Sequence, residues 1–166
     1  MKYIKFLTLF AFLTLFMVSC SKDSETNGSS KNDETFGGPT LPTYEELVTP
    51  GNDASPDWTY TPNVDSYQTM TIILQLPDYL IGQVSAEDKL TALAADGTVC
   101  GSAEVDYEDL SLYYLSVGAP TCESQEIAIA YYCAKLHRIF KSSTPITFKS
   151  DETLGTYLNP YSPYMI

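Results

Sequence analysis

The chain has 166 residues, 44 % of them hydrophobic, with 21 acidic side chains against 9 basic ones and a formal net charge of −12. So negative a balance argues against a nucleic-acid backbone as partner, because phosphate binding needs clustered Lys and Arg. It suits a soluble surface module and permits calcium without indicating it.

Lys2 and Lys5 form a short positive start, and the apolar run Ile4 to Val18 follows. Length and charge order match a secretory signal, and the uninterrupted apolar part is short of the ~20 residues that span a bilayer. Ser19 then precedes Cys20, and the stretch resembles a bacterial lipobox, with Met17 in place of the usual leucine. The resemblance implies a cleaved signal over 1–19 and a lipid-bearing Cys20 at the mature amino terminus, the outer-membrane lipid being its first partner. Two or three acyl chains make such anchoring stable where one does not. "SKDSE" after the cysteine resembles the charged export signals that carry Bacteroidota lipoproteins to the outer face of the outer membrane. A periplasmic-facing or secreted protein is the other address, and an incidental cysteine or a spanning anchor the other readings. Removing 1–19 takes away two lysines and no acids, so the net charge moves from −12 to −14.

Residues 20–55 are rich in Ser, Asp, Glu, Asn, Gly, Thr and Pro and read as a flexible tether, too poor in apolar groups to offset the entropy of ordering. Within it "PTLPTYEELVTP", 39–50, is able to form a short turn or helix against the domain. The compact part is set at 56–166, about 110 residues and enough for one core.

Strand spacing dominates that part. "YQTMTIILQL", 67–76, alternates, with Met70, Ile72, Leu74 and Leu76 on one face and Thr69, Thr71 and Gln75 on the other. "KLTALAADGTVCGSAEV", 89–105, reads as two strands about the tight turn Asp96-Gly97, in preference to a helix over 86–95. "SLYYLSV", 111–117, places Tyr113, Leu115 and Val117 inward, and "EIAIAYYC", 126–133, turns through "AKLH" into "RIFK". "PITFKS", 145–150, is the last clear strand. About seven short strands predict an all-β chain, an antiparallel β-sandwich of immunoglobulin-like or jelly-roll-like kind.

Cys100, Cys122 and Cys133 remain after Cys20. Antiparallel strands bring Cys122 back to the end where Cys100 lies. Cys133 is carried ~23 Å along its strand at ~3.3 Å per residue, too far from Cys122 for a bridge that needs Cα atoms ~5.5 Å apart. Cys100–Cys122 is therefore the expected disulfide, with three reduced thiols as the alternative. No CxxC pair suggests zinc. His137 falls in a hairpin turn, and nothing in the sequence supplies a carboxylate to orient a Cys133–His137 dyad. Asp106, Glu108 and Asp109 cluster between strands as solvated acids, with a calcium loop as the other reading there. Phosphate loops are missing. No cofactor and no enzyme activity are expected, a hydrolase being the remote alternative that would need two carboxylates across a cleft.

Tyrosine is the better clue. Tyr113 and one of Tyr131 or Tyr132 belong to the core, whereas Tyr60, Tyr67, Tyr157, Tyr161 and Tyr164 fall at strand ends and in the tail. Those five either close the ends of a sandwich or form a sugar-stacking platform. Trp58 reads as a lid on the core.

"WTYTPNVDSYQTMTIILQL", "DKLTALAADGTVCGSAEV", "LYYLSVGAP", "IAIAYYCAKLHRIF" and "ITFKSDETLGTYLNPY" follow one another in an order that resembles a small β-sandwich module of Bacteroidota secreted and surface lipoproteins. The chain departs from that pattern at Gly101-Ser102, where Arg-Gly is frequent, and at Lys135-Leu136-His137, where Thr-Gly is. The resemblance implies a sandwich and no transferable activity. It leaves a non-catalytic cell-surface lipoprotein, a structural or interaction module meeting a surface protein through a sheet edge or aromatic patch, or a glycan-binding module using its tyrosines.

Overall fold

The computed structural model describes residues 41–62, 68–118 and 125–166. The chain divides after Gly38, and every described residue belongs to the unit Pro39–Ile166. In chain order the elements are α1 Tyr44–Leu47, β1 Thr69–Gln75, α2 Asp78–Ile81, β2 Lys89–Ala94, β3 Gly101–Val105, β4 Leu112–Gly118, β5 Glu126–Cys133, β6 Arg138–Lys141, β7 Ile146–Thr147 and β8 Thr153–Leu154.

The strands form two packed sheets, the sandwich expected, with eight strands rather than about seven. A front sheet runs β3-β4-β1-β8, and a back sheet runs β2-β5-β6, with β7 also paired to β5. All strand pairs are antiparallel except β1–β8, which is parallel through Thr71–Thr153 and Ile72–Leu154. The tight turn at Asp96-Gly97 forms as predicted. Gly97 adopts φ +86°, and Asp96 Oδ1 accepts from the Thr98 amide at 2.9 Å. Its two arms do not stay together, however. After a single bridge between Leu93 and Val99 the chain crosses to the front sheet, so β2 pairs β5 and β3 pairs β4. Gly101 marks the crossing, since a Cβ there would lie 3.0 Å from Ala92 Cβ and from Leu115 Cδ1.

Alternation places the core. Met70, Ile72 and Leu74 of β1 and Tyr113, Leu115 and Val117 of β4 face Ile127, Ile129, Tyr131 and Cys133 of β5 and Leu90, Ala92 and Ala94 of β2, with Phe140 and Phe148 among them. Each large apolar group buried this way contributes about 1.5–3 kcal/mol. Tyr131 and Tyr132 are both buried, although adjacent strand residues point to opposite faces. Only Tyr131 enters the core cluster between the sheets, as the reading of one core tyrosine expects, and Tyr132 is buried outside it. Something must also cover the outer face of the back sheet.

The segment ahead of β1 closes one end of the core with Leu47 and crosses that outer face between Asp53 and Pro56. Thr43 and Glu46 close a capping box on α1, and the Thr43 amide bond to Glu46 Oε2, 2.7 Å long, holds that carboxyl below its ordinary pKa. Leu47 is 2 % exposed and joins the core. Arg138 of β6 reaches the carbonyls of Glu46, Leu47 and Thr49 while lying 5.3 Å over the Phe140 ring. The chain then bonds Gly51 N to Leu136 O and Asp53 N to His137 O, each at 2.8 Å. Asp53 Oδ2 accepts from Ile139 N at 2.8 Å, and Pro56 O accepts from Lys89 Nζ at 2.7 Å. Ile139, Tyr132 and Lys89 are cross-strand neighbours, so this strap crosses the row that contains Tyr132. Packing begins well before Pro56, and the part of the expected tether from Leu41 to Ser55 belongs to the folded unit. The short helix within 39–50 is present as α1.

The C-terminal tail is fastened as firmly. Tyr79 of α2 donates to Met165 O and accepts from Met165 N, both at 2.7 Å, and Ile166 exchanges two backbone bonds with Lys141.

Candidate functional site

With the back sheet strapped over, the outer face of the front sheet is where polar side chains are left presented to solvent. By alternation Thr71 and Ile73 of β1, Tyr114 and Ser116 of β4, and Ser102 and Glu104 of β3 point outward. Register aligns them: Thr71, Ser116 and Ser102 form one row across three strands, and Ile73, Tyr114 and Glu104 form the next. All three hydroxyl-bearing residues of the first row are exposed. Tyr60 and Pro62 wall a groove of about 370 Å³ over this floor. The Tyr60 hydroxyl sits 2.0 Å from where a Cβ on Gly118 would stand, so its place depends on that residue having no side chain. Burial raises the Tyr60 pKa, with Cys100 adding to it. Tyr114 is shifted up too, by desolvation first and then by Asp106 and Tyr157. Tyr157 is 60 % exposed.

Of the five tyrosines expected as a platform, Tyr60 lines this groove, joined there by Tyr114. Tyr161 and Tyr164 pack against the core. Tyr164 meets Tyr79 edge-on at 5.8 Å, and its hydroxyl donates to Pro42 O at 3.5 Å. Tyr67 lies outside the described residues.

A second cavity, about 230 Å³, opens between the edges of β2 and β3 and is lined by Trp58, Asp88, Lys89 and Tyr113 among others. Trp58 is half-buried and lines this cavity. Asp88 is its most connected carboxylate: it accepts from the Tyr131 hydroxyl at 2.5 Å and from Ser85 N, Ser85 Oγ and Ala134 N, each at 2.8 Å. Four donors fix that carboxylate as a joint between the 85–88 turn and the end of β5. Burial first, then the bond to Asp88, drives the Tyr131 phenol far above its ordinary range.

The remaining candidates separate. Asp106 Oδ1 accepts from the amides of Glu108 and Asp109. Asp109 accepts from Ser111 N and Oγ and from Gln75 Nε2, and the Ser111 bonds lower its pKa. These acids build the β3–β4 connection, and no group of three or more His, Cys, Asp or Glu able to hold a metal is found among the described residues. Cys133 is buried and its thiol donates to Gln83 O at 3.7 Å. His137 is exposed in a left-handed turn, φ +48°, with Nδ1 3.4 Å from the Tyr132 hydroxyl, so the two make no dyad. Cys100 and Cys133 are free cysteines, and burial followed by Asp96 pushes the Cys100 thiol up to about 11. Its expected partner Cys122, like Cys20, lies outside the described residues.

Compared with protein-family models, with curated proteins and with solved structures, the chain matches none. What its fold shows is a small all-β domain of two packed sheets.

Proposed function

We propose that this chain is a non-catalytic surface lipoprotein, held at the outer membrane through Cys20, and that its sandwich is an interaction module whose contact surface is the outer face of the front sheet. One observation carries the reading: the two outer faces are treated differently. The strap crosses the back face, while the front face keeps the exposed hydroxyl-bearing Thr71, Ser116 and Ser102 beside the half-buried Tyr60 and Tyr114. The candidate carboxylates Asp88, Asp106 and Asp109 are occupied in turns and joints, which supports a binding role over a hydrolytic one.

Two measurements on cells producing the full chain test this. Protease added to intact cells should remove the protein, and Cys20→Ala should release it from the membrane fraction. A photo-crosslinking residue placed at Ser116 should give a discrete adduct, while the same residue at exposed Glu87 should give none. A protein shielded in intact cells, or adducts equal at both positions, would overturn the reading.

A further inference from the structure

We infer that the groove between Tyr60 and the front sheet is a binding site for a neutral saccharide. This rests on the interaction-module reading and names the ligand class of that same face. Three features select the ligand. The Tyr60 and Tyr114 rings, with Pro62 beside Tyr60, offer flat apolar surface with polar tips, which suits the C–H faces of a sugar ring. Thr71, Ser116 and Ser102 carry their hydroxyls in one row on adjacent strands, about 4.8 Å apart. That spacing is close to the separation of alternate equatorial hydroxyls on a pyranose. Each side-chain hydroxyl both donates and accepts, as sugar hydroxyls do.

Charge narrows the class further. Glu104 stands in the groove as an acceptor that takes hydrogen bonds from hydroxyls and repels anions. Asp106 is beside Tyr114, its Oδ2 3.5 Å from the phenol oxygen, and the whole chain is at −12. Uronates, sialosides and phosphosugars are therefore disfavoured, and binding is independent of salt screening. A groove of about 370 Å³ is at the small end of ligand sites, so the ligand is a short oligosaccharide stretch. An open groove with hydroxyl contacts gives weak binding, with Kd on the order of 0.1–1 mM.

The test is titration of the full chain in detergent with neutral gluco-, manno-, xylo- and galacto-oligosaccharides, read by calorimetry and saturation-transfer NMR. Oligogalacturonate and sialyllactose serve as charged comparisons. At least one neutral oligosaccharide should bind, by about tenfold less in Tyr114→Ala and Tyr60→Ala. Ser116→Gln, an exposed change that fills the floor, should weaken it equally with the melting temperature unchanged. Affinity should be the same at low and high salt. No binding by any neutral oligosaccharide, binding unmoved by all three variants, or preference for the acidic sugars would overturn the inference. If saccharides fail while Ser116 still gives a discrete protein adduct in cells, only the sugar assignment falls. If both fail, the module reading falls with it.

Discussion

The two central strands of the sandwich are alike in sequence character and opposite in burial. In β1 exposure alternates with burial along the strand, whereas in β5 seven of eight residues are buried or half-buried. The difference is not one of hydrophobicity alone. β1 has one face in water, whereas the second face of β5 is crossed by the strap between Asp53 and Pro56. A sheet face covered by its own chain is committed to stability, and one left open with hydroxyls in register is available for contact.

Paired substitutions on the two faces should break this comparison most sharply. Tyr132→Ala on the covered face should cost about 3–5 kcal/mol, and Tyr114→Ala on the open face about 1 kcal/mol or less, both measured by urea unfolding. Equal costs would mean that the strap does not seal the back sheet. Leu47→Ala, at the strap's anchor, should follow at about 2–4 kcal/mol. Arg138→Ala removes the clamp on three carbonyls and should cost about 1–3 kcal/mol. It should also speed hydrogen exchange at the Gly51 and Asp53 amides while β1 amides stay protected. The smallest stability change is expected for Gly118→Ala, under about 1 kcal/mol. The tip of a flexible tyrosine is what gives way there, and Tyr60 should become more readily iodinated.

A pH prediction bears on the inter-sheet crossing. Burial raises the Cys100 pKa from the ordinary 9.0 to about 11, so the folded state holds this proton more tightly than the unfolded one. The contribution is fully present below pH 9 and is lost as pH rises toward 11. Cys100→Ala should flatten that part of the unfolding profile, and an unchanged slope would show that the thiol is not buried as described.

What is legible in the sequence is local. Alternation at Met70, Ile72, Leu74 and Leu76 marks the inward face of β1, and Asp96-Gly97 marks the tight turn. The neighbours of His137 place it in a turn, and it adopts the left-handed backbone found in such turns. What is not legible depends on partners distant along the chain. The segment 41–56 looks like tether because its anchors, Leu136, His137 and Arg138, come some eighty residues later or more. The burial of Tyr132 beside Tyr131 is not legible for the same reason. The β2–β3 hairpin splits because Gly101 lets two sheets approach, a packing event with no period of its own. The open face is hidden for a related cause: Thr71, Ser102 and Ser116 are ordinary singly and become a row only through register, which brings β1 beside the non-consecutive β4.

The strap also fixes how the domain meets force. Any tension arriving from the N-terminal side reaches α1 and the Arg138 clamp first, then the contacts at Gly51, Asp53 and Pro56, and only afterwards β1. Under such tension the strap would act as a mechanical fuse, its contacts lying ahead of the groove floor on β1, β3 and β4 along the chain.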